Sequence, residues 1–305
     1  MISEKMETER TNPRSSRIDR KSSLEIVRLI NVEDRAVPYA IGRELRKIAE
    51  IVDGVVEALQ SGGRVFYIGA GTSGRLGVLD ASEMSPTFGV SESTFQGVVA
   101  GGAVALRRSV EGAEDDPKAG ASELRRRRFS GRDALIGLSA SGRTPFVLGA
   151  VKEAKRIGAR TFGVTCNPGS LLYRLADCTV AIRVGPEVVG GSSRMKCGTA
   201  QKMVLNIIST ASMIRLGKVH GNLMICLRPK SEKLKDRAIR IVSHIARVNA
   251  SQAAAALKES EGDVKCAVVM AKHRVSKRLA RSLLHKTGGN LDQVADLMKQ
   301  ARRKR

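Results

Sequence analysis

The 305-residue sequence predicts an α/β fold, a parallel sheet covered on both faces by helices, with helices before it and a small all-helical region after it. Two observations carry the prediction. Between residues 64 and 184, short β-rich apolar runs alternate with glycine-containing turns and stretches of helical period. Beyond about residue 231 only helical patterns remain.

The elements follow in order. Residues 1–20 form a polar, irregular arm. Ser22 or Ser23 is placed to cap a helix, SLEIVRLINVEDR, and Pro38 breaks the chain before a second, IGRELRKIAEIVDGVVEALQSGG, which stops at Gly62-Gly63. Strands are predicted at 64–70, around 96–100, and at 134–139, 161–165 and 178–184. After the first strand a loop, Gly71-Thr72-Ser73-Gly74, leads into the helix RLGVLDASEM, and a further helix runs from Ala103 to Val110. The helix PFVLGAVKEAKRIG follows the third strand, with Val147, Ala150, Val151, Ala154 and Ile157 on one face. Asn167-Pro-Gly-Ser170 is a loop, and Met195–Leu216 a long core helix. In the tail, Ser251 caps QAAAALKES, Asp263 caps VKCAVVMAKH, VSKRLARSLLHK stops at Gly288-Gly289, Asn290 starts LDQVADLMKQ and Arg302–Arg305 fray. Residues 275–300 resemble a small helical repeat of the ubiquitin-associated type. Three parts result: an arm with helices at 1–55, a central domain at 56–228 and a helical region at 229–305.

Composition narrows the function classes. No apolar run reaches the ~18 residues of a membrane span, and the polar N-terminus lacks the apolar core of a secretory signal. Five scattered cysteines (Cys166, Cys178, Cys197, Cys226, Cys266) have no CxxC spacing, which excludes a disulfide framework and a zinc knuckle. A reducing cytoplasm is the expected location. The net charge is +23, and residues 201–305, with 23 Lys and Arg against 7 Asp and Glu, carry +16 of it. A solvated basic surface accounts for such an excess. Nucleic acid is not expected as a partner, since stacking aromatics are scarce there and residues 22–60 lack a clear recognition helix.

Two strand-to-helix turns are rich in Gly, Ser and Thr: Gly71, Thr72, Ser73 and Gly74 after the first strand, and Ser139, Ser141, Gly142 and Thr144 after the third. Glycine admits close approach of the backbone, helix N-terminal N–H groups favour an anion, and hydroxyls add neutral donors, so the pair suits a phosphate without a metal. Gly69-x-Gly71-x-x-Gly74 also matches a dinucleotide fingerprint. Glu92, the acidic residue at the required distance, lies in a polar stretch with no strand end before it, and a nucleotide needs no second hydroxyl-rich turn. Ser192, Ser193, Arg194 and Lys196 form a further polar loop suited to a carboxylate or phosphate, or alternatively a serine-capped helix start with two exposed bases. No His/Asp/Glu spacing suggests a metal, and His220, His244, His273 and His285 read as structural or exposed.

Several long, collinear motifs carry a resemblance: GRVFYIGAGTSGRLGVLDASEMSPTFGV (63–90), VEGAEDD (110–116), SASGRTPFV (139–147), CNPGS (166–170), GPEVVGGSSRMKCGTAQKMVLN (185–206) and GKVHGNLM (217–224). Over nearly the whole chain the sequence is similar to the N-acetylmuramic acid 6-phosphate etherases, a branch of the sugar isomerase (SIS) fold. The resemblance implies a five-stranded parallel sheet, a homodimer, no cofactor, and a place in amino-sugar metabolism and cell-wall recycling. It implies cleavage of a D-lactyl ether to give N-acetylglucosamine 6-phosphate and D-lactate, by elimination and then addition of water. By match to the family motifs, Glu83 falls on the acid that protonates lactate and Glu114 on the base that removes the C2 proton. Residue type alone does not separate Glu114 from Glu111, Asp115 and Asp116, and Glu83 alone reads as a solvated helix residue. Met84-Ser85 stand where relatives often carry Cys-Pro. The alternative is a non-catalytic sugar-phosphate-sensing regulator; a related regulatory protein has two SIS units, and this chain has room for one.

Overall fold

A computed structural model describes residues 6–227 and 231–303. The chain divides into two compact units: Met1–Glu83 with Ser91–Ser212, and Met84–Val90 with Met213–Arg305.

In the first unit the arm is ordered as three short 3-10 turns rather than irregular, at Glu7–Glu9, Pro13–Ser15 and Ile18–Arg20. Helix α1 (Ser23–Asp34) starts in a capping box, with Ser22 and Glu25 each satisfying the other's backbone N–H. Pro38 does not break the chain. It lies in the first turn of α2 (Ala36–Gly42), where its missing N–H has no partner to lose, and the break falls at Arg43–Glu44 before α3 (Leu45–Gln60).

The sheet contains β1 (Val65–Gly69), β2 (Phe95–Val99), β3 (Ala134–Leu138), β4 (Arg160–Thr165) and β5 (Cys178–Ala181). Their order is β2-β1-β3-β4-β5, all parallel. Helices between the strands are α4 (Gly71–Phe88), α5 (Pro117–Arg126), α6 (Pro145–Ile157) and α7 (Leu171–Leu175), and α8 (Lys196–Arg215) follows β5. Side chains alternate across the sheet. Phe66, Ile68, Val98 and Leu135 join Leu124 of α5, Phe146 and Val147 of α6 and Leu172 of α7 in one buried cluster. On the opposite face Tyr67 meets Gly77 of α4, and Phe162 meets Gly54 of α3.

Several expectations change. Residues 71–74 are the first turn of α4 and not a loop, because the turn needs only Ala70 and a left-handed Gly71 (φ +51°). The expected helix 103–110 is a 3-10 segment, Gly102–Leu106. Helix α5 was not anticipated, although Asp116 caps it and Pro117 occupies its first position. Strand β5 ends at Ala181 rather than 184.

The second unit holds a two-stranded hairpin, β6 (Val219–His220) and β7 (Leu223–Met224), and helices α9 (Glu232–Ala246), α10 (Ala250–Glu259), α11 (Val264–His273), α12 (Lys277–Lys286) and α13 (Leu291–Arg303). Val242, Ala253, Cys266, Ala267, Ala280 and Val294 form its core. Asn249, not Ser251, caps α10, because its capping box with Gln252 satisfies two N–H groups. Asp263 and Asn290 cap as expected. Helix α13 continues through Arg303; the last two residues of the expected fraying segment lie outside the described residues.

Glycine sets the closest helix contact. A Cβ on Gly120 of α5 would lie 1.9 Å from the Phe146 carbonyl oxygen of α6. Gly120→Ala should therefore cost about 1–3 kcal/mol or more, read as a lower urea midpoint at unchanged slope.

Candidate active site

Gly69 pairs with Leu138 in register, so the turns leaving β1 and β3 start from adjacent strands at the same level, ~4.8 Å apart. The order reverses here, with β2 outside β1 and β4 beyond β3, and the crevice at such a point is where open α/β sheets bind ligands. The first turn is tight: a Cβ on Gly74 would lie 2.6 Å from the Gly69 oxygen. Thr72 is half-buried. The Ser73 hydroxyl points inward and donates to Oε1 of Gln201 at 2.8 Å.

The second turn forms a hydroxyl cluster. Ser139 Oγ lies 2.8 Å from Thr144 Oγ1 and 3.3 Å from Ser141 Oγ, and accepts from the Gly142 N–H at 2.9 Å. Gly142 has φ +67°, and a Cβ there would meet Ser170 Oγ at 2.1 Å. Asn167 donates to the Ala140 carbonyl at 3.0 Å and to Thr8 Oγ1 at 3.0 Å, so the N-terminal arm is tied beside this turn.

Ser192 and Ser193 are half-buried and Arg194 is exposed. Lys196 differs from them. Its ammonium is buried and lies 2.7 Å from Glu33 Oε2, which also accepts from Asn12 Nδ2 at 2.8 Å. Burial alone would raise the Glu33 carboxyl, but the hydrogen bonds from Lys196 and Asn12 outweigh it and hold Glu33 below the usual range. Lys196 is therefore not an exposed base, and its charge is already engaged within the protein. Glu187, fully buried, accepts from the Lys196 and Cys197 N–H groups at 3.0 and 2.9 Å and so occupies the first donors of α8.

The two predicted glutamates are both exposed. The Glu114 main-chain carbonyl accepts from the Phe146 N–H at 3.0 Å, which anchors its segment at the start of α6, two residues beyond Thr144. Glu83 lies twelve residues along α4 from Gly71, a rise of ~18 Å. The two turns, Glu114 and the arm thus gather at one end of the sheet, and Glu83 lies far along α4 from it.

Residue types gave no notice of several buried partners. Asp80 of α4 accepts from Asn206 Nδ2 at 2.6 Å and Ser209 Oγ at 3.2 Å, and burial raises its carboxyl. Tyr67, entirely buried, has its phenol raised by burial and by Asp80. Gln201, Glu33 and Glu187 also went unseen. The available signal was a polar residue among the apolar positions of a helix, and Glu187, in the loop before α8, lacked even that. Among the described residues no group of three or more His, Cys, Asp or Glu is placed to hold a metal ion, and no helix is long and apolar enough to cross a membrane.

Lys196→Met leaves the buried Glu33 carboxylate with only the exposed Arg14, at 3.4 Å, as a charge partner, and the expected loss is about 3 kcal/mol by urea unfolding. Because the Glu33 value is depressed, its contribution is present above the unfolded carboxylate range and fades as pH falls through the folded value. The deficit of the variant should shrink in that acid window, and adding Glu33→Gln should recover most of it at neutral pH.

Comparison with known proteins adds three findings. Residues 47–155 match the family model described as the glucokinase regulatory protein N-terminal SIS domain, and residues 120–211 match the SIS domain. The chain is 48% identical over 290 residues to an N-acetylmuramic acid 6-phosphate etherase of Actinobacillus pleuropneumoniae, covering 95% of each chain. It is 49% identical to one of Clostridium beijerinckii over 92% of this chain and 93% of that one. Among solved structures, a ligand-bound protein of Escherichia coli CFT073 matches with TM-score 0.50 at 19% identity, over 66% of this chain and 97% of that one, a likeness of fold alone.

Proposed function

The chain belongs to the N-acetylmuramic acid 6-phosphate etherases, and from that premise we propose how its residues divide the reaction. The protein is a carbon–oxygen lyase that cleaves the lactyl ether of N-acetylmuramic acid 6-phosphate. The observation that carries this is near-half identity with curated etherases over almost the whole chain. The regulatory alternative has no such full-length support.

The paired turns bind the 6-phosphate with main-chain N–H groups and hydroxyls, at the N-termini of α4 and α6. With the sugar ring open, the C2 proton is acidified by the adjacent aldehyde. Glu114, anchored beside the second turn, takes that proton. Lactate then leaves C3, and Glu83 protonates its oxygen. Water adds to the unsaturated intermediate to give N-acetylglucosamine 6-phosphate. Each positioned proton transfer is worth roughly 10²–10⁴ in rate.

One hexose separates the phosphate from the C3 ether, far less than the ~18 Å from Gly71 to Glu83 along α4. A complete site is therefore built from two copies, with the turns and Glu114 of one protomer facing Glu83 of its partner. Apolar side chains left exposed near both glutamates support this: Leu79 on α4, and Val104, Leu106 and Val110 before Glu114. The homodimer works in the cytoplasm, where sugar phosphates from cell-wall recycling are found.

Glu83→Gln and Glu114→Gln should each reduce lactate release by about 10²–10⁴ with substrate binding retained. Glu114→Gln should also slow exchange of the C2 proton with solvent. Co-expression of the two inactive chains should restore activity to about a quarter of the wild-type sites, because a mixed dimer has one intact site of two. No recovery in confirmed mixed dimers would place both glutamates in one protomer.

A further inference from the structure

A cavity of about 230 Å³ opens between α4 and α8. It is smaller than the ~300–1,000 Å³ of sites for larger ligands, and it is chemically divided. Leu76, Leu79 and Leu205 supply an apolar wall, Glu83 an acid, and Lys202 a cation. Lys202 is exposed and forms no ion pair with any described residue; Asp80 attracts it only at longer range. Asp80 also lines the cavity, but its Oδ1 is already engaged by Asn206 and Ser209.

We propose that this cavity is the subsite for the lactyl group, with Lys202 holding its carboxylate. The inference rests on Glu83 being the acid that protonates the leaving oxygen. A lactyl group carries three substituents on one carbon: an ether oxygen, a carboxylate and a methyl. If the oxygen meets Glu83, the carboxylate is within two bonds of it and needs a cation beside Glu83, and the methyl needs apolar surface. Lys202 and the three leucines are the groups of the cavity that match these needs. The ammonium sits on a flexible stem and can follow the carboxylate as lactate departs. Lys202 is thus a specificity and positioning residue: it recognises a 2-hydroxy acid, and it does not grip the phosphate.

Product inhibition tests this. Inhibition constants for D-lactate, for glycolate (which lacks the methyl) and for N-acetylglucosamine 6-phosphate (which lacks the lactyl group) are measured with the wild type and variants. Lys202→Met should raise KM and the D-lactate constant about tenfold or more, the worth of a hydrogen bond to a charged group. The constant for N-acetylglucosamine 6-phosphate should stay within about twofold, and Lys202→Arg should restore most of the loss. Leu79→Ala should narrow the preference for D-lactate over glycolate. A D-lactate constant unmoved by Lys202→Met, or a rise in both product constants together, overturns the subsite. Failure of the underlying reading gives a different signature: no lactate release by the wild type, or full activity in Glu83→Gln.

Discussion

The in-register pairing of β1 with β3 is the constraint on which the rest of the site depends. Gly69 opposite Leu138 sets two strand ends level, so the first turns of α4 and α6 open toward the same space. Each turn brings hydroxyl side chains and the N-terminus of a helix to that space. The contact is possible because Gly69 and Gly74 pass closer than any Cβ permits. Backbone sterics thus come before electrostatics here: the glycines allow the approach, and the helix ends then supply the field.

Near these turns the protein's own carboxylates meet its own donors. Glu187 takes the first N–H groups of α8, and Glu33 takes the ammonium of Lys196. Such burial is costly without compensation: Glu33 is paired with Lys196, and Glu187 accepts two backbone N–H groups. One consequence is mechanical. Glu33 ties α1, the arm residue Asn12 and the start of α8 together, and Thr8 ties the arm to Asn167 next to the hydroxyl cluster. The N-terminal segment is part of the support for the site.

The proposed catalytic residues and the buried groups around them were legible to different degrees. The two turns could be read directly, since glycine and hydroxyl residues between a strand and a helix have a local meaning. Glu83 and Glu114 were reached through long collinear motifs, because an exposed glutamate looks the same whether it titrates a substrate or only meets water. Lys196 looked like a ligand from its place in a polar loop, and a carboxylate 163 residues away in sequence redirected it. Gln201, Asp80 and Glu187 left no mark beyond a polar residue in or beside a helix, as their meaning lies in the partner.

By itself the sequence determined the alternation of strand and helix, the turn chemistry that suits a phosphate, and most helix caps. These depend on residues within a few positions of one another, where period, β-branching and capping act locally. Tertiary structure decided which turns became neighbours and which charges were neutralised inside the fold. Those are contacts between segments remote in sequence, fixed by strand order and packing, and no local pattern encodes them.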